Sequence, residues 1–186
     1  MAKTILGFDV SSTTIGWCSL SWDGATNDIT LIEMGFIKPP KKGSIIERIV
    51  ETRNKVQKVI VDTKPDYIAI EDIVQFMAGK STAKTIIMLT TFNRMIGLTA
   101  YDYLGKEPTW YSVMTIRHGL KTGKVLPKKE EMPDLVSKHL GITFPYEINK
   151  KGKVKVESFD MADGVAVALY HAFVLTGKVK RKGKKK

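Results

Sequence analysis

Four acidic residues occupy positions where local propensity alone would not place them. Asp9 lies inside the apolar stretch "ILGFDV", and Glu71 ends the apolar run "YIAIE". A lone buried carboxylate costs free energy unless something compensates its charge. Asp160 and Asp163 lie three residues apart in "DMAD", a spacing that puts both on one face of a helix. If that helix packs its beginning across two neighbouring strands, all four carboxylates converge.

Converging carboxylates repel one another and raise one another's pKa. Hard divalent cations relieve this repulsion, and Mg²⁺ in particular binds one or two carboxylates while keeping positions free for water and phosphate. Two such ions about 4 Å apart form the arrangement that cleaves phosphodiesters in line. The pattern therefore predicts two Mg²⁺ ions, replaceable by Mn²⁺, held by Asp9, Glu71, Asp160 and Asp163, and it indicates a nuclease.

Each acid taken singly also has a structural interpretation. Asp160 is typical of the N-cap of the final helix, and Asp163 suits the positive end of that helix. Glu71 at a strand end is equally compatible with a side chain that faces water. Asp9 is the hardest of the four to explain structurally, because the strand around it is apolar. The combination is more specific than any of its members.

Length and composition indicate one globular domain. The chain has 186 residues, of which 43% are hydrophobic and 26% charged, which suits a domain with a substantial core. No apolar run approaches the roughly 20 residues that cross a bilayer, and the N-terminus leads directly into a strand, so we expect neither a membrane segment nor a signal peptide. The single Cys18 excludes an intramolecular disulfide and a cysteine-cluster metal site. A cytoplasmic location is expected.

The net charge of +11 indicates a polyanionic partner, since neutralising phosphates releases counterions. Part of this charge lies in the last ten residues, "GKVKRKGKKK", which hold seven Lys or Arg and no acid. We therefore expect a folded domain over residues 1–176 and a disordered basic tail over 177–186. A tail that only improves solubility is the alternative to a nucleic-acid contact.

The hydrophobic patterning predicts an α/β fold around a central mixed five-stranded sheet, with an antiparallel meander of three strands followed by parallel additions. The predicted strands cover 4–9, 15–22, 29–37, 67–71 and 108–113. The predicted helices cover 45–62, 81–104 and 159–175, and a shorter helix is predicted in "PKKEEMPDLVSKHLG", interrupted near Pro133. Residues 149–157 are predicted to form an exposed basic hairpin or loop. Helix 81–104 is apolar on two sides, which indicates a central helix or a dimer contact.

The order and context of the acids resemble those of a known family. "ILGFDVSSTTIGW", "YIAIEDIVQFMAGKSTAKT" and "DMADGVAVALYHA" resemble the RuvC-like Holliday-junction resolvases of the RNase H-like superfamily, and the matched blocks span about residues 4 to 175. The resemblance implies an RNase H-like fold and a homodimeric, magnesium-dependent endonuclease of DNA recombination and repair that nicks opposing strands of four-way junctions and of other branched DNA. It implies no small-molecule cofactor. Carried over by position, Asp9, Glu71, Asp160 and Asp163 match the metal-binding acids of the family.

The resemblance also implies roles for residues near these acids. Phe76 resembles the family's aromatic residue that reaches the junction crossover and stacks on unpaired bases, with core packing as the alternative. The family uses basic residues before the last acidic block, which Lys128, Lys129, Arg117 and His118 match. A lysine there would stabilise the phosphate in the transition state, and the sequence leaves the choice between Lys128 and Lys129 open.

Further basic residues are candidates for DNA contacts that position the backbone and read no sequence. They are Lys80, Lys84, Arg94, Lys151, Lys153 and Lys155, and with Phe76 and Arg117 they make up the predicted DNA-binding residues. Ordinary solvated surface charge is the alternative for each lysine.

Three other functions remain compatible with the motifs. "DVSSTTIGW" also resembles the first phosphate-binding turn of the actin, chaperone and sugar-kinase superfamily, but those proteins need two copies of the fold and a second glycine-rich loop. A different RNase H-like nuclease, acting on RNA–DNA hybrid duplex or as a transposase, would share the acids. A DNA-binding module without catalysis would share the charge.

Overall fold

The computed structural model describes residues 1–73 and 82–179. Its centre is a five-stranded sheet in the order β3-β2-β1-β4-β5. The strands are β1 (Ala2–Val10), β2 (Ile15–Asp23), β3 (Ile29–Ile37), β4 (Tyr67–Asp72) and β5 (Thr109–Ser112). The first three pair in antiparallel fashion, while β4 runs parallel to β1 and β5 runs parallel to β4. The predicted mixed sheet, with its meander and its parallel additions, is confirmed.

Helices cover both faces of this sheet. They are α1 (Ile45–Thr63), α2 (Ala83–Leu104), α3 (Val113–Leu120), α4 (Met132–Leu140) and α5 (Val156–Leu175), with a short 3₁₀ turn, Lys129–Glu131, before α4. One apolar core forms where α1 and α2 pack on the sheet, and a second forms where α3, α4 and α5 pack on the opposite face.

The two-residue period of a strand decides which core each side chain joins. In β1, Leu6 and Phe8 enter the core beneath α1 and α2, whereas Ile5 enters the core beneath α5. Asp9 is therefore directed to the α5 side of the sheet. The same alternation in β4 puts Ile70 beneath α2 and directs Glu71 to the α5 side.

Helix α5 lies very close to β1 and β2 because glycines line the contact. A Cβ atom on Gly16 would overlap the carbonyl oxygen of Asp160, and one on Gly164 would lie 2.7 Å from the backbone nitrogen of Trp17. Both obstacles are backbone atoms, so no side-chain rotation relieves them. The small residues thus hold the acid-bearing turn of α5 directly against the sheet.

Two sequence predictions about helices were wrong, and one helix was missed. The final helix begins at Val156 and not at residue 159, so Asp160 lies inside the helix, and the N-cap is Lys155. A separate helix α3 follows β5 directly, because Ser112 accepts a hydrogen bond from the Thr115 N–H and ends the strand. Pro133 is in the first turn of α4 and does not interrupt it, since an N-terminal proline loses no helical hydrogen bond.

One helix among the described residues, α5, is long and apolar enough to meet a length-and-composition criterion for crossing a membrane. The sequence had led us to expect none. However, 83% of the relevant stretch is buried within the protein, where α5 forms the centre of one core. Its apolar character is therefore that of a core helix.

Candidate active site

The sheet register brings Asp9 and Glu71 side by side. Phe8 pairs with Ile70 at the end of the β1–β4 ladder, so the next residue of each strand is an acid directed to the same face. Both half-buried side chains line a cavity of about 260 Å³, together with Asp163 from α5. Three of the four predicted acids, distant in sequence, thus meet at one cavity.

Asp160 and Asp163 lie one turn apart on α5 and are 5% and 8% exposed. Lys129, from the 3₁₀ turn, donates a hydrogen bond of 2.6 Å to Asp160 Oδ1, and its Nζ lies 3.5 Å from Asp163 Oδ2. Lys128 is exposed, and its backbone N–H donates to Glu131 Oε2. Of the two lysines that the sequence left undecided, Lys129 is therefore the one beside the acids.

The carboxylates interact strongly. Burial raises the pKa of Asp9 well above its ordinary value, and the charges of Glu71 and Asp163 raise it further. Burial and then the charge of Asp163 raise the pKa of Glu71 to about 7, against the opposing effects of Arg117 and Lys129. Burial likewise raises the pKa of Asp163 to about 6, although Lys129 and Arg117 oppose it. The positive charge of Lys129 and Arg117 therefore only partly balances the negative charge of the carboxylates.

Lys129 supplies part of that charge. Burial lowers the pKa of its ammonium, but the hydrogen bond to Asp160 and the charges of Asp163, Asp160 and Asp9 outweigh burial, so the pKa is raised overall. Lys129 therefore stays protonated at neutral pH and acts as a counter-ion within the acid cluster.

Arg117 supplies the second cationic group. It lines the cavity from α3, its Nη2 lies 4.0 Å from Asp163 Oδ1, and its Nη1 donates to the carbonyl oxygen of Pro127. Within the described residues, its buried Nε has no hydrogen-bond partner. The sequence predicted Arg117 as a DNA contact, and the structure places this candidate at the acids themselves.

Sequence reasoning missed Asn93. This residue of α2 is 1% exposed, lines the same cavity, and donates from Nδ2 to the backbone oxygen of Glu71 at 2.8 Å. Its Oδ1 is buried without a hydrogen-bond partner in the described part of the chain. The sequence feature that could have identified Asn93 is its position as a polar residue next to Phe92, on the buried side of an apolar helix.

The donor set suits a hard divalent cation. The acids offer only oxygen and repel one another, and Asn93 adds a buried oxygen that has no hydrogen-bond partner in the part of the chain that the structure describes. Among residues 1–73 and 82–179, no group of three His, Cys, Asp or Glu side chains is arranged closely enough to hold one metal ion. The ammonium of Lys129 between Asp160 and Asp163 accounts for part of this separation.

Among the described residues, the other predicted DNA contacts do not line the cavity. Arg94 pairs with Asp72 at 3.1 Å and stacks 4.6 Å above the Trp110 ring. Lys84 is exposed in the first turn of α2. Lys151, Lys153 and Lys155 belong to the loop that precedes α5. Phe76, Lys80 and the tail from residue 180 onward lie outside the described residues.

Comparisons with known proteins show which family this chain resembles. The family model described as crossover junction endodeoxyribonuclease RuvC matches residues 5–171. The protein of that name from Campylobacter curvus is 30% identical over 168 residues, covering 90% of this chain and 95% of the relative. The one from Sulfurovum sp. is 28% identical, covering 90% of this chain and 93% of the relative.

Solved structures show the same fold. Thermus thermophilus RuvC in complex with Holliday junction substrate superimposes with a TM-score of 0.68 at 20% identity, covering 92% of this chain and 94% of that one. The yeast mitochondrial Holliday junction resolvase Ydc2 superimposes with a TM-score of 0.63 at 13% identity, covering 94% of this chain and 79% of that one. Because the family model matches nearly the whole domain, this chain belongs to the RuvC family of crossover junction endodeoxyribonucleases.

Proposed function

We propose that this protein is a divalent-metal-dependent endonuclease that resolves four-way DNA junctions by paired nicks. The observation that carries the proposal is the meeting of Asp9, Glu71 and Asp163 with Lys129 and Arg117 at one cavity on the RuvC fold. A junction-resolving nuclease needs acids to hold metal and cations to hold the scissile phosphate, and this cavity offers both. The protein would act on branched DNA in the cytoplasm.

Asp9, Glu71, Asp160 and Asp163 would hold the metal, for which we propose two Mg²⁺ ions per site, replaceable by Mn²⁺. Such ions, when bound, activate the attacking water and stabilise the departing 3′-oxygen. Two observations support carboxylate ligands: the raised pKa of Asp9, Glu71 and Asp163, and the all-oxygen donor set around them.

Residues of the chain prepare the site for a phosphate. Lys129 Nζ lies at hydrogen-bond distance from Asp160 Oδ1, which puts an ammonium donor beside the acids where a phosphate would bind. The Arg117 side chain lines the same cavity, and within the described residues its buried Nε–H has no hydrogen-bond acceptor. Asn93 fixes the backbone of Glu71 and thereby the direction of its carboxylate. Donors fixed in advance stabilise charge that develops in the transition state.

A homodimer would bring two such sites to one junction. The outer face of α2 exposes large apolar side chains: Ile87 is 64% exposed, Leu98 is 59% exposed and Tyr101 is 51% exposed. Contiguous exposed apolar side chains mark interaction surfaces. A two-fold symmetric contact through this face would relate two active sites by the symmetry of the junction.

A DNA-cleavage assay tests the proposal. The protein is incubated with a mobile four-way junction, a fork and a linear duplex, each with Mg²⁺, with Ca²⁺ and with EDTA. We expect paired nicks in the junction with Mg²⁺ only. Ca²⁺ should support binding without cutting, because its looser geometry positions water poorly. Cleavage of the junction in EDTA would contradict the metal-dependent mechanism.

Asp9→Asn provides the control for catalysis. It removes a charged ligand at nearly constant side-chain size, so we expect loss of nicking with junction binding retained or tightened. The Asp28→Asn protein, changed at an exposed turn beyond β2, should nick like the wild type. Preferential cutting of an RNA–DNA hybrid would instead support another RNase H-like nuclease. The kinase alternative is not favoured, since the RuvC match spans residues 5–171.

A further inference from the structure

Residues 147–155, hereafter the basic hairpin, form a projecting turn directly before α5. An isolated antiparallel bridge joins Ile148 to Val154, and Lys150, Lys151 and Lys153 lie at the exposed end. No ion pair found among the described residues includes any of these three lysines. Three uncompensated positive charges are therefore presented together to solvent.

The turn of the basic hairpin has a defined conformation. Asn149 Oδ1 accepts hydrogen bonds from the backbone N–H groups of Lys151 at 2.8 Å and Lys153 at 3.1 Å. The backbone N–H of Asn149 in turn donates to the Lys153 carbonyl oxygen at 2.9 Å. Gly152 adopts a φ of +73°, a left-handed conformation that costs glycine little. The lysines are thus carried on an ordered support.

The base of the basic hairpin is fastened to the helix that bears Asp160. Ser158, in the first turn of α5, accepts a hydrogen bond from the Glu147 N–H at 2.8 Å, and the Lys155 N–H donates to the Glu147 carbonyl oxygen at 2.8 Å. The ammonium of Lys155 also pairs with the Glu147 carboxylate at 3.1 Å. Lys155 is therefore engaged within the protein, unlike the three lysines at the tip.

We propose that the basic hairpin is a second DNA contact, in which Lys150, Lys151 and Lys153 clamp the phosphates of a duplex arm beside the scissile strand. This inference rests on the proposed nuclease function. Val156 lies about 6 Å along α5 from Asp160, at 1.5 Å per residue. The hairpin adds roughly 10 Å, at about 3.3 Å for each of its three residues from bridge to tip. The clamp would thus act within about five base pairs of the cut, at 3.4 Å per base pair.

The fixed position of the charges distinguishes this contact from general surface charge. A flexible lysine must lose side-chain and backbone freedom on binding, whereas the backbone beneath these lysines is already ordered by Asn149. Phosphate contacts of this kind carry no sequence information, so the basic hairpin is expected to strengthen binding equally for all arm sequences.

Equilibrium binding to a four-way junction at increasing salt tests the proposal. Each phosphate neutralised contributes about 0.9 to the slope of log K against log salt, so replacing Lys150, Lys151 and Lys153 by Gln should lower the slope by about 3. Between 50 and 200 mM salt, the wild type should therefore lose about 40-fold more affinity than this triple variant. Binding is measured by fluorescence anisotropy with Ca²⁺ in place of Mg²⁺.

Lys58, Lys64 and Lys106, replaced together by Gln, form a control with the same number of charges removed, although Lys58, unlike the hairpin lysines, pairs with Asp62 at 2.7 Å. Lys64 and Lys106 precede the starts of β4 and β5, at the sheet end away from Asp9, and Lys58 lies on α1. This control should retain the wild-type salt slope. Asn149→Ala keeps every charge but loosens the turn, so its junction affinity should fall several-fold with the slope unchanged.

The outcomes are separable. A hairpin triple variant that keeps the wild-type slope overturns the clamp, even when the wild type binds and cuts junctions normally. An Asn149→Ala protein that binds as tightly as the wild type overturns the role of the ordered turn. A wild-type protein that neither prefers nor cuts junctions overturns the proposed function itself.

Discussion

The acid cluster should make the metal-free protein less stable as the pH rises, and Glu71→Gln should remove much of that dependence. Glu71 has a pKa of about 7 in the folded protein against the ordinary value of 4.5, chiefly because it is buried and faces Asp163. Between those two pH values, the folded state binds more protons than the unfolded state. Stability therefore falls as the pH rises through this interval.

The size of the effect follows from the shift. One pKa unit corresponds to about 1.4 kcal/mol, so the change from 4.5 to about 7 corresponds to a loss of about 3 kcal/mol in the free energy of unfolding once Glu71 is ionised. From pH 5 to pH 8, this group accounts for about 2 to 3 kcal/mol of lost stability. Asp163, with a pKa of about 6, adds a loss of the same sign centred at lower pH.

Urea unfolding in EDTA at pH 5, 6, 7 and 8 measures this dependence for the wild type and for Glu71→Gln. We expect the variant to lose less stability across the range and to be more stable than the wild type at pH 8. Mg²⁺ added to the wild type should restore stability most strongly at pH 8, because binding requires the ionised carboxylates. The same substitution at Glu33, an exposed residue of β3, is the control and should leave the profile unchanged.

Two results would refute this reasoning. In EDTA, a wild-type stability that is constant or rises between pH 5 and 8 would show that the carboxylates do not repel one another as their positions imply. A Glu71→Gln profile parallel to that of the wild type would show that Glu71 is not the group responsible. Either result would also weaken the case for a metal site, since the same repulsion is what a cation would relieve.

Three further substitutions test the cation, the outer face of α2 and the glycine contact. The Lys129→Gln protein should cut a saturating junction about 10²-fold more slowly, because it loses a charged donor at the phosphate, and calorimetry should show tighter Mg²⁺ binding. The Lys128→Gln protein should match the wild type. Equal cleavage rates for the two variants would contradict the assignment of Lys129 to the site. Light scattering should show that Leu98→Asp converts the dimer to a monomer. Ile32→Asp, a change at a similarly exposed apolar residue of β3, should leave the dimer intact. A dimeric Leu98→Asp protein would exclude the outer face of α2 as the dimer contact. Gly16→Ala should lower the free energy of unfolding by about 1–3 kcal/mol or more, because the added Cβ forces α5 away from the sheet. The same displacement should abolish cleavage. An unchanged melting temperature would contradict the close contact between α5 and β2.

Local patterning determined most of the elements. β3 was predicted with its observed bounds, and the other strands were placed within one to two residues, because strand alternation and turn residues are local properties. Helix α3 was missed because its first residues, after a short strand, are as compatible with extended structure as with a helix. The start of α5 was placed too late because Asp160 suits an N-cap, whereas Ser158 and Glu147 join the preceding segment to the helix through contacts that sequence spacing does not reveal.

The sequence by itself determined which acids were available, and the alternation along β1 and β4 directs Asp9 and Glu71 to the face opposite Phe8 and Ile70. Only the tertiary structure decided the rest of the site. It selected Lys129 over Lys128, brought Arg117 into the cavity, and placed the buried amide of Asn93 behind Glu71. The physical reason is that these groups come from α2, α3 and a 3₁₀ turn, whose positions over the sheet depend on packing and on the close approach that glycine allows to α5.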